Sequence, residues 1–261
     1  MLLANKNAVI YGGAGDVGGA VARAFARDGA RVFLAGRTLA TLESAAKEIR
    51  DMGGMAETTQ VDAYDLQSVE QSLDEIIAKA GRIDISFNAV GHDDVQGQSL
   101  LSMTQALFAQ PITNAMITYF NTATAAARRM TQQRSGVILG ISANAARLAY
   151  PNMGGFGPAC AAIEAFCRQL AIEVGSQGVR VVCLRSAGSP DARGLREVFT
   201  MHAQEQGMTL EEFTEQAASG IPLKHLPSLA EVANSAVFAV SDYASAMTGA
   251  VINLTCGQMM D

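Results

Sequence analysis

One stretch near the amino end, Ala8–Val21 (AVIYGGAGDVGGAV), leaves this chain few ways to fold. An apolar run of Ala8, Val9 and Ile10 reaches a cluster of glycines. A helical spacing then opens at once with Val17, Ala20, Val21, Ala24 and Phe25. Strand, glycine turn and helix in so short a space have the form of a dinucleotide-binding unit. Gly12 permits the tight turn, Gly15 lets the backbone approach a pyrophosphate, and Gly18 lets the helix pack close to the strand. Gly13, Asp16 and Val17 belong to the same cofactor loop. The helix N-terminus offers unpaired N–H groups and a partial positive charge to phosphates. The plainer alternative is a glycine-rich turn with no ligand, and the flanking strand and helix weigh against it. Asp16 stands out as a carboxylate in a phosphate loop. Three readings are open: it points to solvent, caps the helix, or weakens pyrophosphate binding by repulsion.

The 261 residues are 49% hydrophobic, enough for the large core of one α/β domain. A net charge of −6 with no basic stripe argues against nucleic acid as a partner. No apolar run approaches the ~20 residues of a membrane span. The first strand follows the amino end too closely for a signal peptide, so the expected location is the cytoplasm. The cysteines Cys160, Cys167, Cys183 and Cys256 lack metal-ligand spacing and are expected as free buried thiols.

Strands and helices alternate along the chain. Arg31–Ala35 is a second buried strand ending in Gly36-Arg37-Thr38. Thr38 is placed to cap a helix with apolar positions Leu39, Leu42, Ala46 and Ile49. The end of this strand meets the adenosine ribose in a dinucleotide fold. An acidic residue there suits the 2′-hydroxyl of NAD and an arginine the 2′-phosphate of NADP, so Gly36 and Arg37 favour NADP(H). Residues 54–61 lead into Asp62 and Ala63. The next helix carries Val69, Leu73, Ile76 and Ile77 on one face and stops at Gly81. Ile83–Phe87 is a fourth strand ending in Asn88-Ala89-Val90-Gly91, followed by a polar loop that opens with His92. Pro111 is expected to open a long helix through about Arg134. Val137–Ile141 is a fifth strand, residues 142–157 an irregular loop, 158–173 a helix and Val179–Leu184 a sixth strand. Residues 189–226 break the alternation as two short helices, expected either to cover a substrate site or to elaborate the surface. Ser228-Leu229-Ala230-Glu231 is a capping box for a helix to about Val240, and Val251–Leu254 is a last strand. The fold class is therefore α/β, a Rossmann-type doubly wound parallel sheet covered on both faces, in a single domain over 1–261.

Over nearly its whole length the chain resembles the short-chain dehydrogenase/reductase family. Tyr11-Gly12-Gly13-Ala14-Gly15-Asp16-Val17-Gly18 is similar to the family's glycine turn, with Tyr11 for the usual threonine and Asp16 for the middle glycine. Asp62-Ala63 resembles its adenine-contacting Asp-Val pair, and Asn88-Ala89-Val90-Gly91 its Asn-Asn-Ala-Gly. Glu231-Val232-Ala233, Ser241-Asp242 and Thr248-Gly249 resemble its carboxyl-terminal pattern. The resemblance puts the family's catalytic serine at Ala143, its tyrosine at Phe156, its lysine at Cys160 and its asparagine at Ala115. All four are replaced, and Ser186-Ala187-Gly188 stands where Pro-Gly follows strand six.

Hydride reduction develops negative charge, which needs a proton donor or an oxyanion partner. Phe156 has no proton to give and Cys160 no positive charge. Two other residues are candidates: Tyr150, in the loop before the family position, and His92, at the carboxyl edge of the sheet. Asn144, Arg147 and Arg185 could hold an anion or carbonyl. Each also has a plain role, in loop packing or as solvated charge. The expected function is an NADP(H)-dependent oxidoreductase acting on a small organic molecule through a non-standard proton donor. An activated C=C or C=N bond suits it better than a ketone. The alternatives are a nucleotide-binding protein without redox activity, or a lyase or isomerase that keeps the pocket. A homo-oligomer, dimer or tetramer, is expected through the helices at about 112–134 and 158–173.

Overall fold

The computed structural model describes residues 1–260. The elements run β1 (Asn7–Tyr11), α1 (Asp16–Arg27), β2 (Arg31–Gly36), α2 (Leu39–Asp51), β3 (Met55–Gln60), α3 (Leu66–Ala80), β4 (Ile85–Asn88), α4 (Gln105–Gln133) and β5 (Gly136–Ala143). They continue with α5 (Phe156–Val174), β6 (Val179–Ser186), α6 (Arg193–Glu205), α7 (Leu210–Ser219), α8 (Leu229–Val240) and β7 (Ala250–Leu254). The strands form one seven-stranded sheet in the order β3-β2-β1-β4-β5-β6-β7, with every neighbouring pair parallel. Helices cover both faces, so the central strands are apolar throughout rather than alternating. Phe25, Leu42 and Val237 lie in the core under α1, α2 and α8. Leu73, Tyr119, Ile163 and Leu170 lie in the other, under α3, α4 and α5. This is the doubly wound single-domain architecture expected.

The edge strand β3 is polar, and its Glu57 pairs with Arg31 on β2 across the ladder. The Ser228 capping box forms as expected, with Ser228 Oγ accepting from Glu231 N and Glu231 Oε2 accepting from Ser228 N. Gly81 ends α3 in a left-handed conformation at φ +81°.

Three local expectations are corrected. Pro111 does not open α4, which starts at Gln105 with the Thr104 hydroxyl accepting from Leu107 N. Pro111 therefore lies inside the helix, where it gives up one backbone bond. The helix tolerates it because the buried ring packs on Gly155, where a Cβ would come 2.8 Å from Pro111 Cγ. Thr38 sits at the N-cap of α2, but its side chain makes no cap bond, and Leu39 is 45% exposed. The buried face of α2 is Leu42, Ala46 and Ile49. Cys160, Cys167 and Cys183 are buried free thiols, whereas Cys256 is only half-buried.

The glycine crossing leaves no room for side chains. A Cβ on Gly12 would lie 2.6 Å from the Ala89 carbonyl oxygen at the end of β4, and one on Gly18 would overlap the Gly12 carbonyl. Gly18→Ala is therefore expected to destabilise the protein by at least about 2 kcal/mol in urea unfolding. An unchanged midpoint would mean that the crossing yields freely.

Candidate functional site

From β1 the chain winds outward to β3, then returns to the other side of β1 at β4. A crevice opens at the carboxyl ends of β1 and β4, where such a sheet takes its ligand. A cavity of about 270 Å³ lies there. Gly12, Gly15, Arg37, Thr38, Asp62, Ala63, Ala89 and Gly91 line it, all of them expected at a cofactor. The other expected residues act from behind the wall. Gly13 is buried beneath the turn, Val17 packs into the core, and Gly18 admits the Gly12 carbonyl. Asn88 accepts from Val90 N at 2.9 Å and donates to Thr122 Oγ1 at 3.1 Å, which shapes the turn after β4.

The crevice fits a dinucleotide. Gly12 adopts φ +74°. No side chain caps the N-terminus of α1, where Gly15 is the N-cap, so its first N–H groups face the crevice without a competing carboxylate. Asp62 shapes the turn after β3, its Oδ1 accepting from Tyr64 N at 3.0 Å. Asn121 of α4 donates to the Ala63 carbonyl at 3.0 Å and fixes the same turn from behind. Tyr64, which the sequence analysis missed, also lines the cavity. Burial and Asp93 push its phenol pKa up and Arg37 pulls it down. The only sequence signal was an aromatic two residues beyond a strand-ending aspartate.

Asp16 follows none of its expected readings. It turns away from the crevice to the N-terminus of another helix, accepting from Arg193 N at 2.7 Å and from Arg193 Nε at 3.1 Å. A carboxylate suits the positive end of α6, and the guanidinium answers its charge. The far part of α6 reaches the loop after β4, where a Cβ on Gly97 would lie 2.8 Å from Met201 Sδ. Helix α6 thus runs from the glycine turn to the residues that follow β4, across the carboxyl edge of the sheet. Phe199 and Phe213 hold α7 against it, edge to face at 5.1 Å.

The four positions implied by the resemblance lie on β5, α4 and α5. Ala143 ends β5, Ala115 is fully buried in α4, Phe156 begins α5, and Cys160 follows one turn later. Burial pushes the Cys160 thiol up to about 12, against a hydrogen bond with the Ala143 backbone, so the sulfur carries no charge at neutral pH. The buried Tyr119 hydroxyl donates to the Ile141 carbonyl at 2.8 Å and accepts from Ile141 N at 2.9 Å, tying α4 to β5.

His92 and Tyr150 are not in contact. His92 is half-buried, its ring 6.4 Å from the ring of Tyr119, and its Nδ1 has no partner among the described residues. Burial lowers its pKa against the pull of Asp94 and Asp93, so the imidazole is neutral at pH 7. Tyr150 is 38% exposed. Its oxygen accepts from Asn144 Nδ2 at 2.8 Å and from Gln258 Nε2 at 3.2 Å. Burial raises its pKa and the Gln258 bond lowers it. Gln258 also escaped the sequence analysis, being 108 residues from its partner.

Arg185 is not a solvated charge. Its Nε and Nη2 each donate at 2.7 Å to Glu164, one turn beyond Cys160, and both side chains are buried. Ser142 donates to the same carboxylate at 2.8 Å. This buried ion pair locks α5 to the ends of β5 and β6, just beneath Ala143 and Asn144.

Comparison with known proteins gives consistent findings. The family model described as enoyl-(acyl carrier protein) reductase matches residues 12–258. The 3-oxoacyl-(acyl-carrier-protein) reductase of Chlamydia muridarum is 27% identical over 257 residues, spanning 98% of both chains. The peroxisomal 2,4-dienoyl-CoA reductase of Saccharomyces cerevisiae is 28% identical over 255 residues, covering 96% of this chain and 83% of that one. An NAD+-bound xylitol dehydrogenase superposes with a TM-score of 0.91 over 98% of this chain and 100% of that one, at 22% identity, a likeness of fold.

Arg185→Met strips Glu164 of its guanidinium while leaving the carboxylate buried. The expected cost is about 3–5 kcal/mol in denaturant unfolding, most of it recovered when Glu164→Leu is added. A single variant within about 0.5 kcal/mol of the parent would show that the pair does not hold this edge.

Proposed function

This chain belongs to the short-chain dehydrogenase/reductase family, in the branch described as enoyl-(acyl carrier protein) reductase, and from that premise we propose that it is an NADP(H)-dependent oxidoreductase using Tyr150 as proton donor. Its substrate on this reading is a small organic molecule with an activated C=C or C=N bond. When bound, the cofactor supplies or accepts the hydride. The chain holds it through the glycine turn and the α1 N-terminus at the pyrophosphate, and through Asp62, Ala63 and Tyr64 at the adenine. Arg37 takes the 2′-phosphate. The observation that carries NADP is Arg37 on the crevice wall at the end of β2, with Gly36 where a ribose-binding carboxylate would stand.

Proton delivery follows from the side chains present. Phe156 has no acidic proton, and the buried Cys160 thiol gives no positive charge to lower a phenol's pKa. Tyr150 keeps a protonated, half-exposed phenol at neutral pH beside the end of β5, and its proton has no acceptor among the described residues. Such a group serves as an acid rather than a base. His92 stays a neutral, secondary participant. A double bond polarised by its own substituents needs less help from the protein than a ketone does, and the dienoyl-CoA reductase relative acts on such bonds. Helices α6 and α7, within 189–226, cover the substrate.

The second reading, a nucleotide-binding protein without redox activity, is favoured by Phe156 and Cys160 at the family positions. It keeps cofactor affinity but predicts no NADPH consumption with any enone or imine. No described helix is long and apolar enough to cross a membrane. We place the enzyme in the cytoplasm on the strength of its free thiols.

Titration of NADPH and NADH by fluorescence or calorimetry is expected to show tighter NADPH binding. Arg37→Asp should cost NADPH about tenfold or more relative to NADH. An unchanged ratio would remove Arg37 from the cofactor site. Tyr150→Phe should slow NADPH consumption on an active enone or imine by about a hundredfold, and full activity would sink its role. Ile117 and Phe120 on α4 and Ile172 on α5 are exposed apolar side chains. We propose association through these helices, so Phe120→Asp should lower the mass measured by light scattering; an unchanged mass would put the interface elsewhere.

A further inference from the structure

We propose that the side-chain amides of Asn144 and Gln258 form a neutral, two-donor seat for the Tyr150 oxygen, doing the work that a lysine ammonium would otherwise do in stabilising the phenolate. This rests on Tyr150 being the proton donor. Asn144 Nδ2 and Gln258 Nε2 both donate to the phenol oxygen, which fills its acceptor positions. The phenol proton is thereby turned away from both amides. No described residue accepts it, and Tyr150 is more than a third exposed.

The orientation of the seat is fixed internally. Asn144 Nδ2 also donates to Gln258 Oε1 at 2.7 Å. Reversing the Gln258 amide would set one NH₂ group against another, so its nitrogen must face Tyr150. Asn144 is buried in the turn that leaves β5. Gln258 is held by the tail that follows β7. Its N–H donates to the Thr255 carbonyl at 2.9 Å, Met259 N donates to Thr255 Oγ1 at 3.1 Å, and Asn253 Nδ2 donates to the Met259 carbonyl at 2.8 Å. The carboxyl-terminal segment therefore contributes directly to the reacting edge.

In the acid step the Tyr150 O–H bond breaks and a bond from its proton to the substrate forms. The electron pair stays on the phenol oxygen, and solvent returns the proton. Hydride comes separately from the reduced nicotinamide. The negative charge left on oxygen is shared by the two amide N–H groups, each weaker than a charged donor but already aimed. The charged groups on the neighbouring elements are Arg147 on the loop holding Tyr150, Asp93 and Asp94 on the segment that packs against that loop through Gly97 N donating to the Asn152 carbonyl, and Glu164 on α5, paired with Arg185. Residues 255–260 carry none, and both donors to the Tyr150 oxygen are neutral.

The test is a spectrophotometric tyrosinate titration of the full-length protein and its variants. The difference against Tyr150→Phe isolates Tyr150 among the five tyrosines. Gln258→Met keeps the length of the side chain and removes the donor, and Gln258→Glu also adds a negative charge. The Tyr150 midpoint should rise by about one pH unit in the first, a tenfold change, and further in the second. An unmoved midpoint in both, with unfolding midpoints matching the parent, would overturn the seat. Full NADPH consumption by Tyr150→Phe would instead sink the proton-donor role, and it would leave the titration result standing.

Discussion

The structure depends on a steric contact before any chemical one. The Gly12 carbonyl lies where a side chain on Gly18 would have to go, and Gly12 itself lies against the carbonyl of Ala89. These contacts bring the end of β1, the start of α1 and the end of β4 to one point. The crevice exists because three backbones meet there without side chains between them. The positive end of α1, the turn at Asp62 and the loop after β4 are all placed relative to that crossing.

Near the crevice, several charges are answered within the protein. Asp16, which would repel a pyrophosphate, is engaged by α6 and Arg193. Glu164 and Arg185 satisfy each other in the interior, where either alone would be costly. His92 is held neutral by burial, Cys160 stays a thiol, and the Tyr150 oxygen is met by amides. The hydrogen bonds that join Asn144, Tyr150 and Gln258 link neutral groups of fixed direction, an arrangement in which geometry matters more than net charge.

What the sequence foretold and what it hid divide by distance along the chain. The apolar runs of β1, β2, β5 and β6, the Ser228 capping box and the Gly81 stop are local, since each is decided by residues a few positions apart. The family resemblance extended this to the crevice wall, and most of the expected residues line it. The failures are non-local. Pro111 is at home inside α4 only because Gly155, on another segment, leaves room for its ring. Asp16 finds Arg193 at a separation of 177 residues and Tyr150 finds Gln258 at 108, and no spacing rule reaches so far. Tyr64 reads as an ordinary turn residue until the sheet brings Arg37 and Asp93 to it.

The order of strands also bears on how the chain comes to be folded as it is made. The first three strands emerge as a complete half, but β1, its innermost member, then presents a bare apolar edge until Ile85–Asn88 arrives to pair with it. From there the sheet grows in one direction, each new strand covering the last and exposing its own apolar edge: β4, then β5, then β6. Only the two finishing strands are suited to stay uncovered, β3 with its polar side chains and β7 with its half-buried ones. A chain halted midway through synthesis carries a hydrophobic strand edge that invites pairing with another nascent chain. The sheet is thus safest from edge-to-edge pairing once β7 is in place, when its least adhesive strands have become its borders.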